Sequence, residues 1–473
     1  MTFHPAYRTA ALDPDYAFAR AHLLPLFLEA LSAHALDLRR SGTPHADEAV
    51  TTLRALRSFQ PGEVDPAIPD LFFTLDREIA RLSPEGAGAL RTALSRNDLD
   101  MTVYRLAARA ELMTAMQTVL RLRGTLLSLA ERERATVMVA FTHHQPAQPT
   151  TLGHYLAAAE NVLARDSARL QDALGRLNRS PLGAVALAGS SHPLNREYAA
   201  ALLGFDGPVE NTFDAVASGD WQVEIAGAVS TCAVNLSRVV YDLLDWAARG
   251  LITLEDGLVQ GSSVMPQKRN PVTLEHTRTR LSRTLGAAQT LVYASHNIPF
   301  GDVNDVGTDV QEPLWTLWRT FGQALELLDA SISGLNVNRD AWRILADHSE
   351  STLTELADVL ARRSGDFREA HRLAKALLAS VHAQGRALHL ATDTDLRALA
   401  PELDIPDGLV ADALDTAAFV TRRTTLGGPA PEAMAAHLTM AARRLDTDHA
   451  RLAQRAQQFA DARLALWIGD PAQ

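Results

Sequence analysis

The stretch Gly261-Ser262-Ser263-Val264-Met265-Pro266-Gln267-Lys268-Arg269-Asn270-Pro271 lies between two long segments of helical periodicity, and its reading decides the fold. Gly261 is a hinge, and a loop that starts on glycine can close over a small ligand and exclude water. The mobile part spans residues 261–266. Pro271 sits where a helix can begin, because its missing N–H is not needed at the first helical position. Lys268 offers a compact positive charge for a carboxylate. Asn270 offers both a donor and an acceptor. Backbone N–H groups near the helix start favour an anion. Ser262 or Ser263 is then a candidate proton-abstracting or nucleophilic group, provided local charge activates a hydroxyl that is otherwise a poor base. An ordinary polar loop ahead of a helix has the same composition, and spacing alone leaves the two readings level.

Working outward, residues 98–136 contain no Pro and repeat their apolar residues with a 3.6 period. Four more such runs follow at 151–177, 222–249, 272–297 and 314–335. Helices of roughly 22–39 residues are about 33–58 Å long at 1.5 Å per residue, which is bundle geometry. The run from Gly227 to Val234 is apolar nearly all round. A helix of that kind is buried or covered by another subunit, so the pattern predicts an oligomer.

Shorter elements flank the bundle. Residues 18–38, 47–59 and 69–82 read as helices between Pro-containing joints. Residues 342–367 and 369–390 read as two more, ahead of an acidic joint at 396–406. No strand series, internal repeat or low-complexity segment is evident, and residues 470–473 are expected to fray. The chain therefore reads as all-α in three parts: 1–92, a central long-helix bundle at 93–339, and 340–473.

Composition narrows the function. Of 473 residues 47% are hydrophobic, enough for a large core, and the net charge of −11 opposes a nucleic-acid partner. The only cysteine, Cys232, excludes an internal disulfide and fits a reducing compartment. The first seven residues are polar and broken by Pro5, unlike a signal peptide. No apolar run is read as reaching the roughly 18 residues of a membrane span. These features predict a cytoplasmic protein without a membrane partner.

Two further stretches carry chemistry. Ser95-Arg96-Asn97-Asp98 opens the first long helix, with Ser95 as its cap and Arg96 able to grip a carboxylate through its fork. A capped helix start with a solvated Arg is the plainer reading. Thr142-His143-His144-Gln145-Pro146-Ala147-Gln148-Pro149 places two His before a Pro-bounded helix. Adjacent His rarely face one ion, and no Cys or carboxylate cluster accompanies them, so no metal site is expected.

Together these stretches resemble the fumarase/aspartase superfamily. The 261–271 stretch is similar to its long signature, and Gln267 after Pro266 looks like the argininosuccinate lyase branch; Arg269 is also seen in adenylosuccinate lyase-like versions. The resemblance implies a homotetramer with shared active sites, built around the long helices. It implies reversible β-elimination of fumarate from an N-substituted aspartate, leaving an amine, with no cofactor. It gives Ser262 as base with Ser263 beside it. Lys268 and Asn270 stabilise the dianionic intermediate. Thr142 and His143 enter the active site with Gln145 in support, Glu275 pairs with His143, and Ser95, Arg96 and Asn97 contact substrate. Asn211, in a further matching segment that runs to Asp220, joins the substrate contacts.

The departures matter as much. The family's first helix carries a Gly-Ser before Ala-His; here Ala19-Arg20 precede Ala21-His22, so a substrate-contacting Ser is missing and His22 reads as surface or structural. An Arg of the family is Gly219. Residues 299–313 keep Asn304 and Glu312, lose a Tyr and a Lys, and carry Thr308 for a Gln. Asp302, Asp305 and Asp309 either favour a cationic leaving group or form a solvated turn. The resemblance thus leaves open argininosuccinate itself, a different aspartate adduct, or an adenylosuccinate-type substrate. A non-catalytic, crystallin-like structural protein is the reading from another class, and the intact Ser262, Lys268, Asn270, Thr142 and His143 oppose it.

Overall fold

Residues 3–62 and 64–468 are described by a computed structural model, and residues 470–473, expected to fray, lie outside them. The chain is all-α in its main elements. Five long helices form the bundle: Arg96–Arg132, Leu152–Leu177, Asp220–Ala248, Val272–Ala294 and Gln311–Ser333. Caps fix several starts. Ser95 and Asp98 form a capping box on the first helix, and Thr151 Oγ1 accepts from His154 N on the second. Val272–Ala294 packs against Asp220–Ala248 and Gln311–Ser333, and Arg96–Arg132 packs against Leu152–Leu177 and Gln311–Ser333. Leu99, Val119, Ile225, Leu291 and Phe321 are sealed in the shared core.

The last long helix, Pro431–Ile468, lies along the first. Fully buried Arg123 fastens it, reaching Glu160 at 2.8 Å and Asp448 at 2.7 Å. Residues 356–414 gather a smaller core of their own around Leu360, Leu377, Leu396 and Val410.

Several elements differ from the sequence expectation. The helix expected at 18–38 is two, Asp13–His22 and Leu24–Arg40, because Pro25 can occupy only a first turn. The span 342–367 divides into Arg339–Asp347 and Leu353–Ser364, with Glu350 between them at a left-handed φ of 59°. The first long helix stops at Arg132, and three two-stranded antiparallel pairs appear where no strand was expected. They are Val137–Thr142 with Gln145–Thr151, Ile252–Leu254 with Leu335–Val337, and Gln260–Gly261 with Arg269–Asn270. Asp220–Ala248 is also long and apolar enough, by length and composition alone, to cross a membrane, which corrects the expectation that no run is. Its buried face packs into the bundle, and it carries Glu224, Arg238, Asp242 and Asp245.

Candidate active site

The predicted site residues fall into two groups, at opposite ends of the bundle. The first surrounds the start of Arg96–Arg132. Ser95 Oγ accepts from Asn97 N, and the Asn97 side chain donates to Asp302. Asn211 caps the Thr212–Ala217 helix, its Oδ1 accepting from Phe213 N at 2.8 Å and Asp214 N at 3.2 Å. The Phe213 and Phe300 rings lie 5.6 Å apart, which places Asn211 beside the altered 299–313 segment. Arg96 does not stand free for a ligand. Asp70 holds it at 2.8 Å and Asp100 at 3.0 Å.

Asp98 ties this group together. Fully buried, its Oδ2 accepts from Gly183 N and Val185 N while Oδ1 accepts from Ser95 N. Burial pushes its carboxyl up to about 6 against the pull of those N–H groups. The sequence displays Asp98 in the motif, yet nothing local signals a contact to a distant turn. The altered segment also explains the glycine at 219. A Cβ there would lie 2.8 Å from Val306 Cγ1, and Gln222 Nε2 donates to Val306 O at 3.0 Å. Val306 therefore needs a residue without a side chain at 219.

The second group lies beyond the other end of the same helix. Thirty-seven residues at 1.5 Å each separate the two ends by about 55 Å. Just past that end, Arg339 donates to Glu133 at 2.7 and 2.9 Å. The strand before Arg339 pairs with Ile252–Leu254, and Arg269 Nη2 donates to Leu254 O at 2.8 Å. Arg269 also pairs with Asp256. That chain of contacts fixes the Gly261 loop at this end.

Ser262 sits just outside the Gln260–Gly261 and Arg269–Asn270 ribbon. Its Oγ accepts from Val264 N at 3.2 Å and Met265 N at 3.0 Å. Two N–H donors on one oxygen favour its anionic form, which is the activation a serine base needs. Ser263 and Lys268 are exposed and Asn270 is half-buried. Glu275 is exposed in the first turn of Val272–Ala294, a helix that Pro271 caps from outside.

Thr142, His143 and Gln145 are exposed at the tip of a β-hairpin rather than ahead of a helix. His143 and His144 have φ of 53° and 60°, and two left-handed central residues make the turn that matches strand twist. Asn-Gly usually marks this turn, so His-His gave no signal. Pro146 and Pro149 fit because a two-stranded ribbon is all edge. Among the described residues no ion pair joins His143 to Glu275, and no group of three metal-ligating side chains gathers.

Two other histidines resolve as structural. His154 Nε2 donates to Gly427 O at 2.9 Å and its Nδ1 shares a hydrogen bond with Thr150 Oγ1 at 2.8 Å, tying the hairpin to the Gly427–Gly428 turn. His22 stacks on Trp315 at 4.0 Å, and burial lowers its pKa. A cavity of about 520 Å³ lies behind the hairpin, lined by Gln148, His154, Asp242 and Arg423. It reaches neither Ser262 nor Lys268.

Comparison with known proteins places the chain among lyases. A lyase family profile matches residues 75–286, and a profile of the argininosuccinate lyase C-terminal region matches residues 350–421. Argininosuccinate lyase 2 of Agrobacterium fabrum is 35% identical over 91% of this chain and 88% of its own length. Argininosuccinate lyase of Thermus thermophilus is 35% identical over 94% and 97%. An EDDS lyase variant with bound fumarate superposes with a TM-score of 0.84 at 27% identity, covering 98% of this chain and 95% of its own. The chain belongs to the argininosuccinate lyase family.

Proposed function

We propose that the protein is a carbon–nitrogen lyase that reversibly eliminates an amine from an N-substituted aspartate, releasing fumarate, at a centre shared between copies of the chain. The argininosuccinate lyase relatives and the fumarate-bound EDDS lyase neighbour support the reaction class. The observation that carries the reading is Ser262 Oγ accepting two backbone N–H groups on a Gly-hinged loop beside Lys268.

The proton on the carbon next to a carboxylate is very weakly acidic, so its removal needs both a base and preorganised donors. Ser262 takes that proton, with Ser263 alongside. Lys268, Asn270 and loop N–H groups hold the dianion that forms. The C–N bond then breaks, its electrons stay on nitrogen, and the carbanion pair becomes the double bond of fumarate. His143, with Glu275 brought to it from another copy of the chain, supplies the proton to the leaving nitrogen, and Thr142 and Gln145 orient it. Ser95, Arg96, Asn97 and Asn211 form the opposite wall, Arg96 acting through the carboxylates it already holds. An acid, a base and a cation suffice for this chemistry.

Two groups about 55 Å apart on one chain need a second copy to meet. Exposure of His143 and Lys268, with Ser262 only half-buried, also calls for a partner to exclude water. Val234, Tyr241 and Tyr293 are exposed on the long helices and suit burial between copies. The homotetramer implied by the family resemblance would supply such copies, and the division at residues 92 and 339 is proposed alongside it. Buried, unpaired Cys232 supports a cytoplasmic setting.

The test is fumarate formation, followed by ultraviolet absorbance, with argininosuccinate as substrate and Ser262→Ala beside the parent. Release that vanishes in the variant establishes the activity on that substrate. Where argininosuccinate is inert, fumarate with a panel of amines identifies the adduct. Absence of reaction in both directions defeats the proposal.

A further inference from the structure

We infer that the leaving amine carries a second positive charge and no carboxylate at its far end, and that a cavity walled by Asp15, Asp70, Asp100 and Tyr104 receives that charge. The inference rests on the lyase reading above and names the substrate class for it.

The cavity holds about 130 Å³ behind Arg96, between the first helices of the chain and residues 308–312. Four of its lining groups are carboxylates, Asp15, Asp70, Asp100 and Glu312, and its one cation is Arg96. Arg96 is already shared by Asp70 and Asp100. Asp302, above it, accepts from Asn97. A ligand carboxylate entering here would meet several like charges, and the one cation, Arg96, has both Nη groups engaged by Asp70 and Asp100 and only its buried Nε–H without an acceptor.

Two buried polar groups point to what does enter. Tyr104 is 5% exposed, and its hydroxyl lies 3.4 Å from Thr308 Oγ1, beyond the ordinary O–H···O range. Asp100 Oδ1 is sealed from solvent and accepts no hydrogen bond. A buried acceptor without a donor is costly, and an ammonium brings three donors to oxygens that lack them. Phe18, Phe27 and Phe72 supply walls for a short methylene chain. Burial, with Asp70 and Asp302 adding repulsion, pushes Asp100 up to about 7, a strain that a bound cation relieves.

The same end lacks the Ser, Tyr and Lys that the argininosuccinate lyase resemblance would place there for arginine. Arginine presents an ammonium and a carboxylate at its far end. The cavity suits the first and opposes the second.

In the addition direction the amine nitrogen donates its lone pair to one alkene carbon of fumarate. The displaced π pair moves to the neighbouring carbon, which takes a proton as the nitrogen loses one. The second ammonium stays in the cavity throughout.

The experiment uses the full chain with fumarate and three matched amines: putrescine, n-butylamine, which lacks the second charge, and ornithine, which adds a carboxylate. Argininosuccinate and the Ser262→Ala variant run alongside. Loss of fumarate absorbance gives kcat/KM for each. We expect putrescine to lead both others by at least ~10-fold. Asp15→Asn should shrink the lead of putrescine over n-butylamine. Ornithine equal to or better than putrescine overturns the inference, as does equal use of n-butylamine; in either case the lyase reading stands. No turnover of any amine or of argininosuccinate defeats the lyase reading, and the inference falls with it.

Discussion

Gly183 donates its backbone N–H to Asp98 Oδ2 at 2.8 Å, and that bond joins the start of the first long helix to a turn far along the chain. Val185 adds a second donor at 3.0 Å. The turn needs the help. Val185 and Leu187 have φ of 54° and 77°, a left-handed conformation that costs a β-branched or bulky residue about 1–2 kcal/mol. Beyond the turn, the position of a Cβ on Gly189 would be 3.6 Å from Thr212, next to Asn211. Asp98 thus holds Ser95, Asn97 and Asn211 in one arrangement.

Replacing Asp98 by Ala orphans two buried N–H groups and removes half of the capping box. The expected cost is on the order of 3 kcal/mol, read by denaturant titration. KM should rise more than kcat falls, because binding residues move and the base does not. Asp98→Asn keeps one acceptor and should lie between the two. Parental stability and KM in Asp98→Ala would contradict the role.

Asp100 gives a pH signature. Its folded pKa of about 7 lies above the ordinary carboxylate value, so the folded state binds its proton more tightly. Its charging therefore lowers stability as pH rises from about 4 to about 7, and adds no slope outside that window. Asp100→Asn should gain on the parent across that window when the two are compared by denaturation. A difference independent of pH would count against the buried, acidic setting.

Turn geometry separates chemistry from structure at the hairpin. Asn tolerates the left-handed conformation of His143, and Val does not. His143→Asn should keep stability near parental and lower kcat by ~10²-fold or more. His143→Val should lower both. Full activity in His143→Asn would remove the imidazole from the mechanism.

The Gly427–Gly428 turn is tested by one methyl group. A Cβ on Gly428 would lie 2.3 Å from Arg423 O. Gly428→Ala should displace the turn, break the His154 contact to Gly427 O, and lower the thermal midpoint by several degrees. An unchanged midpoint would show that the turn yields freely.

The long helices were legible because Pro-free apolar periodicity over 22 residues or more has no other outcome in a chain of this composition. Ser95 as a cap was legible from its own side chain. The hairpin at Thr142 was not, since its turn uses His-His where Gly or Asn is the usual mark. The split at Leu23 followed from Pro25, but periodicity on both sides masked it. Arg96 read as a free fork because Asp70, 26 residues earlier, becomes its partner only on folding. The separation of Asn97 from Ser262 was invisible in one dimension, since it depends on which ends of antiparallel helices coincide.

That separation yields the most direct measurement. Asn97→Ala and Ser262→Ala, each purified alone, should release almost no fumarate from the identified adduct. Mixed under conditions that exchange subunits, they should recover activity, because some centres then combine an intact Asn97 end with an intact Ser262 end. The account predicts recovery that follows the mixing ratio and is absent before exchange. No recovery after exchange has been verified by mass would contradict a centre shared between copies.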